Sequence, residues 1–131
     1  MSTPSGPTAS PRILVVEDDL VNQKVLSRML ELRGYTVDVA DHGGIALEKL
    51  RTEPFDLVLL DMQMPVLDGF ETLRRLREDP SFSQLPVVAC TALAMSGDRE
   101  RCLHAGCDDY LSKPILRSPL DSILARWAPI S

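Results

Sequence analysis

The chain of 131 residues is 44% apolar and 25% charged, enough for one hydrophobic core and too little for two domains. Its 19 Asp and Glu outnumber 14 Lys and Arg, and the net charge of −5 argues against direct binding of nucleic acid or anionic lipid. No apolar run nears the roughly 20 residues of a membrane helix, the N-terminus has no secretory signal pattern, and Cys90, Cys102 and Cys107 are too few for a disulfide framework. A cytoplasmic protein with no membrane segment in this chain is the expectation.

Residues 1–11 are Ser, Thr, Pro, Gly and Ala apart from the first Met, a composition that buries little and is expected to form a flexible leader or linker remnant. The domain is expected over residues 12–128. Apolar runs at Ile13 to Val16, Tyr35 to Ala40, Leu57 to Leu60, Leu85 to Cys90 and, weakly, Tyr110 to Ser112 alternate with longer amphipathic stretches. Such alternation predicts an α/β fold with a parallel sheet. In the first long stretch Val21, Val25, Met29 and Leu32 form a helical stripe, widened by Leu26 and Leu30 and ended by Gly34. Ser96 to Gly106 is mostly charged, with Cys102, Leu103 and Ala105 alone to bury, so it is expected to be the least anchored helix and a moving part. Ser118-Pro119 is expected to cap a last helix whose Leu120, Ile123, Leu124 and Trp127 share one face.

Ligands of open parallel sheets sit beyond the carboxyl ends of the strands, which makes the residue after each apolar run informative. Those residues are Glu17, Asp18 and Asp19, then Asp61, then Thr91, then Lys113. One carboxylate at a strand end is ordinarily a cap, and one Lys a solvated charge. An acidic cluster, a further carboxylate, a hydroxyl and an ammonium at one sheet edge are better explained together. The crowded carboxylates suit a hard divalent cation such as Mg²⁺, which would draw a phosphoryl group to Asp61 with Thr91 and Lys113 holding its oxygens.

The segments Ile-Leu-Val-Val-Glu17-Asp18-Asp19, Asp61-Met-Gln-Met64-Pro65-Val-Leu-Asp68-Gly69, Thr91-Ala92 and Tyr110-Leu-Ser-Lys113-Pro114 resemble the response-regulator receiver domains of two-component signalling. The resemblance runs from Arg12 to Trp127. Val21-Asn22-Gln23-Lys24-Val25 and Ala105 to Pro114 are most similar to receivers attached to hybrid sensor histidine kinases. The resemblance implies a doubly wound, five-stranded parallel sheet in the flavodoxin-like order 2-1-3-4-5 with helices on both faces, an order for which such receivers are themselves a standard example. It implies that Asp61 is the phosphoacceptor, that Asp18, Asp61 and the Gln63 carbonyl bind Mg²⁺, and that Glu17 acts through metal-bound water. Thr91 and Lys113 then bind the phosphoryl group, Tyr110 is the aromatic switch, and Lys113-Pro114 is a cis peptide. Gln63 and Leu93 flank the path of water to the phosphoryl group, and neither is a base, so loss of phosphate is expected to be slow. Implied partners are a histidine kinase or a histidine phosphotransfer protein, with room for a weak homodimer.

Two rivals share parts of this pattern. A flavin binder of similar architecture needs a glycine- and hydroxyl-rich phosphate loop after the first strand, where this chain has Glu17-Asp18-Asp19-Leu20. A Mg²⁺-dependent phosphatase usually needs a second Asp two residues after the nucleophile, and here that residue is Gln63. A signalling receiver rather than an enzyme is therefore expected. Cys102, His104 and Cys107 lack the paired spacing of a zinc site. With 18 residues after Lys113, one closing helix and no output domain are expected. The leader suits a linker from a longer hybrid kinase, a stand-alone receiver being the alternative.

Overall fold

Successive strand residues point to opposite faces of a sheet, and the central strands of this chain are apolar on both. The computed structural model describes residues 10–64, 68–92 and 97–130. In chain order it contains β1 (Arg12–Val16), α1 (Leu20–Glu31), β2 (Thr36–Ala40), α2 (Gly43–Thr52), β3 (Leu57–Asp61), α3 (Gly69–Glu78), a short 3-10 turn (Pro80–Phe82), β4 (Val87–Thr91), α4 (Asp98–His104), β5 (Asp109–Ser112) and α5 (Arg117–Trp127). All neighbouring strands are parallel and stand in the expected order β2-β1-β3-β4-β5.

Leu14, Val16, Val58, Leu60, Val87 and Ala89 face one core with α2, α3 and α4. Ile13, Val15, Leu57, Leu59, Val88 and Cys90 face the other with α1 and α5. Burial on both sides explains why these strands read as unbroken apolar runs.

Only part of the stripe expected to anchor α1 faces the sheet: Leu26 and Leu30 are buried and Met29 packs beside them, while the flank formed by Val21, Val25 and Leu32 is turned outward. Val21 is 67% exposed, Val25 55% and Leu32 68%, while the buried residues are Gln23, Leu26 and Leu30. Two apolar rows run along this helix, and the row that packs on the sheet begins with a polar residue. Gln23 belongs there because its carboxamide donates to the Glu17 carbonyl and, at 2.9 Å, to the Asp41 carboxylate, so its burial leaves no donor unpaired.

One further boundary differs from expectation, and at another the sheet's contacts extend past the strand end. The N-cap of α5 is Leu116, not Ser118, and Ser118 and Pro119 lie inside the first turn. Proline is tolerated there because the first N–H groups of a helix have no partner within it. Chain pairing also begins before Arg12, since Thr36 N donates to the Pro11 carbonyl at 3.1 Å and Ser10 Oγ lies 2.9 Å from Thr36 Oγ1.

The amino ends of the strands, away from the acidic cluster, are tied by Arg77. Its guanidinium donates to the carbonyls of Phe82, Leu85 and Gly106 and to the Asp108 carboxylate, and Asp108 in turn accepts from Val87 N at 2.8 Å. One side chain thereby satisfies three loop carbonyls.

The facing of α1 is testable within the one helix. Leu30→Ala, at a fully buried position, is expected to cost about 2–5 kcal/mol in urea denaturation. Val25→Ala, on the exposed row, is expected to change stability by no more than about 0.5 kcal/mol. Equal losses would show that both rows are packed.

Candidate functional site

Parallel register brings the strand ends together. Val16 pairs with Leu60, so Glu17 and Asp61 end adjacent strands. Asp61 pairs with Cys90 and Thr91 with Ser112, which sets Thr91 and Lys113 one step further along the same edge. Glu17, Asp18 and Asp61 each offer a carboxylate oxygen within 4.8 Å of the others. Asp19 is diverted from this group, because its carboxylate caps α1 by accepting from Val21 N at 2.8 Å and Asn22 N at 3.1 Å.

Glu17 and Asp61 are 5% and 3% exposed, and two buried carboxylates side by side repel strongly. The Lys113 ammonium answers both, lying 2.7 Å from Glu17 Oε1 and 3.3 Å from Asp61 Oδ2. Burial alone would lower the Lys113 pKa, but the hydrogen bond that its ammonium donates to Glu17 and the charges of Asp61 and Glu17 hold it above 10.5. Two backbone donors also serve the carboxylates. Asp19 N donates to Glu17 Oε2 at 3.1 Å and Gln63 N to Asp61 Oδ1 at 3.0 Å. Three carboxylates against one ammonium leave a site of hard oxygens with negative charge to spare, a donor set suited to a small divalent cation.

The surroundings fix this geometry. Gly69 opens α3 directly against the end of β3, where an added Cβ would fall 2.5 Å from Met62 Cα and 2.7 Å from the Asp61 carbonyl, so no larger residue fits. Behind Asp61, burial pushes the Cys90 thiol up to about 12, which keeps that wall uncharged. Thr91 is 1% exposed and its carbonyl accepts from Lys113 N at 2.8 Å. The Lys113–Pro114 peptide is cis.

Of the residues singled out in the sequence, Glu17, Asp18, Asp61, Thr91 and Lys113 share this edge, and Leu93 lies outside the described residues. Gln63 links two strand ends. Its amide oxygen accepts from Ala92 N at 3.1 Å, bridging the ends of β3 and β4. Tyr110 is turned to α4, where its hydroxyl donates to Asp98 Oδ2 at 3.0 Å. Asp98 and Gln23 were not identifiable as site residues. Gln23 lies within a polar stretch next to the acidic cluster, but Asp98 sits in a charged segment with nothing to mark it as buried.

The family model described as response regulator receiver domain matches residues 13–125. The chain belongs to that family. Among its relatives, the sensor histidine kinase GacS of Pseudomonas protegens is 38% identical over 125 residues, covering 93% of this chain and 14% of GacS. The receiver domain of sensor histidine kinase PA1611 from Pseudomonas aeruginosa PAO1, whose crystal structure has a magnesium ion in the active-site cleft, is 43% identical with a TM-score of 0.83, over 91% of this chain and 98% of that one. A chain in the co-crystal structure of the Saccharomyces cerevisiae phosphotransfer protein Ypd1 with the receiver domain of Ssk1 is 28% identical with a TM-score of 0.84, over 94% of this receiver and 92% of that chain. Receivers are signalling domains of two-component phosphorelays, and phosphoryl transfer to an aspartate is the standard function of the family.

A raised Lys113 pKa gives stability that is complete below pH 10.5 and is lost as pH climbs through the higher folded value. In metal-free buffer Lys113→Met is therefore expected to be about 2 kcal/mol less stable than the parent near neutrality. The gap should narrow as pH rises past 10.5. A gap that stays constant with pH would mean that the loss is one of packing rather than charge.

Proposed function

We propose that this receiver takes a phosphoryl group from a phosphohistidine onto Asp61, in the cytoplasm, and that the state of Asp61 is read at a protein surface. The observation that carries this reading is the cluster itself, a strand-end carboxylate with two more beside it and an ammonium facing it. An Asp61 oxygen attacks phosphorus in line, the new P–O bond forms as the P–N bond to imidazole breaks, and the leaving nitrogen keeps the electron pair. Asp18, Asp61 and the Gln63 carbonyl would hold Mg²⁺, with Glu17 acting through bound water. When bound, the cation supplies neutralising charge for the carboxylates and for the incoming phosphoryl oxygens. Lys113 moves its donors from carboxylate to phosphoryl oxygen, and Thr91 adds its hydroxyl. Gln63, bonded to Ala92, cannot serve as a base, and the reading includes slow loss of phosphate rather than turnover of free substrates.

Incubation with acetyl phosphate and Mg²⁺ is expected to add one phosphate to the parent and none to Asp61→Asn. Chelation of the cation should stop labelling. Among the acidic neighbours Asp18→Ala should lose most metal affinity and Asp19→Ala least, since Asp19 is committed to its cap. Labelling of Asp61→Asn at the parental rate would remove the assignment.

The donor is inferred to be a histidine kinase or histidine phosphotransfer protein. A phosphohistidine must be carried to the site by a surface that excludes water around it. The exposed α1 row provides one, with Leu20 at 61%, Val21 and Val25, and Val25 and Met29 line a cleft of about 370 Å³ that also touches Glu17, Lys113 and Ile115. Apolar residues gathered at the mouth of a charged site are suited to a protein partner. Val25→Glu is expected to slow phosphotransfer from a phosphorylated histidine phosphotransfer protein by about tenfold or more, while labelling by acetyl phosphate stays at the parental rate. Loss of both would place Val25 in the chemistry rather than in docking.

A further inference from the structure

Tyr110 lies three residues before Lys113 on β5, and its hydroxyl reaches out of the sheet to the first residue of α4. The acceptor, Asp98, is 6% exposed. Among the described residues its nearest cation is Arg101, 4.0 Å away across the helix. Arg101 is also engaged elsewhere, with its guanidinium 4.7 Å over the Phe70 ring of α3. Among the described residues the Tyr110 hydroxyl is thus the close donor of a carboxylate that has little access to water.

Among the described residues, little besides this bond and the Arg101 contact with Phe70 pins this end of α4. The helix has seven residues, of which only Asp98 and Cys102 are buried, and its N-cap Gly97 has φ +89 and makes no capping bond through a side chain. No atom lies within 4 Å of where a Gly97 Cβ would be. Cys102 anchors the middle of the helix in the core, so the first turn depends on Asp98.

We propose that Asp98 is a positioning residue that latches Tyr110 in the unphosphorylated receiver, so that Tyr110 cannot leave its place without moving the first turn of α4. The inference rests on the reading of Asp61 as phosphoacceptor. If Tyr110 turns toward Thr91, the Asp98 carboxylate loses its donor while still shielded from solvent, a state more costly than either a paired or a hydrated carboxylate. Asp98 must then swing outward to water, and the helix that carries it must follow. The bond makes two motions one. It also opposes activation, because the latched arrangement is the one in which Asp98 is satisfied.

The test uses the whole chain with Mg²⁺ and trifluoroberyllate, a phosphoryl mimic whose affinity reports the population of the activated arrangement. Asp98→Ala is expected to bind the mimic about three- to tenfold more tightly than the parent and to be labelled faster by acetyl phosphate. Tyr110→Phe keeps the ring, removes the donor, and should act in the same direction. The double variant should gain no more than the larger single effect, because both substitutions open one bond. Variants that lose thermal stability but keep parental affinity for the mimic would overturn the latch and leave Asp98 a purely structural residue. Weaker binding by Asp98→Ala would overturn it as well, by placing the bond in the activated state. A parent that neither labels nor binds the mimic would remove the phosphoacceptor reading and the latch together; a parent that does both, with variants indistinguishable from it, removes the latch alone.

Discussion

The arrangement depends on an ammonium held between two carboxylates that water scarcely reaches. Glu17 and Asp61 end adjacent parallel strands, and without Lys113 their mutual repulsion would oppose the very register that the apolar strand cores favour. Lys113 arrives from two strands away, carried by β5 and set by its backbone bond to Thr91. A side chain from one edge of the sheet therefore compensates charges at its centre, and every strand between them must be in register for it to do so.

This compensation is also incomplete, and the incompleteness is what gives the site a chemistry. One cation among three carboxylates favours additional positive charge. In the proposed reading the same ammonium meets a phosphoryl oxygen, and its contacts with Glu17 and Asp61 are then those of a donor already aimed. The polar parts around it are fixed by backbone: Gln63 N on Asp61, Asp19 N on Glu17, and the close approach of Gly69 to the end of β3. Preorganised donors of this kind cost no rearrangement when charge develops.

The central strands were legible because burial on both faces writes a continuous apolar run, their order only through the family resemblance, and the site was legible because its residues directly follow those runs. The helices were less so. Along α1 the apolar stripe joins Val21 and Val25 to Met29, Leu26 and Leu30, yet Val21 and Val25 are exposed and Gln23 is buried beside Leu26 and Leu30. A polar residue counts as buried only once its partners are known, and the Glu17 carbonyl and Asp41 are distant in sequence from any helical pattern. For the same reason Asp98 passed as one more charge in a charged segment; only the fold brings Tyr110 to it. Ser118 misled in the opposite sense, a good capping residue placed two residues too late to cap.

Arg77 and Asp108 give the molecule a direction. By stitching three loop carbonyls and the start of β4 into one network at the amino end of the sheet, they make that end a fixed mount, while the opposite end carries the charges and the lightly held first turn of α4. If Asp61 is the phosphoacceptor proposed above, a disturbance there would meet more resistance at this mount than along the rim of the sheet toward β5. On that reading the receiver would act as a lever clamped at its base, a displacement small at the chemical centre being delivered to one lateral edge.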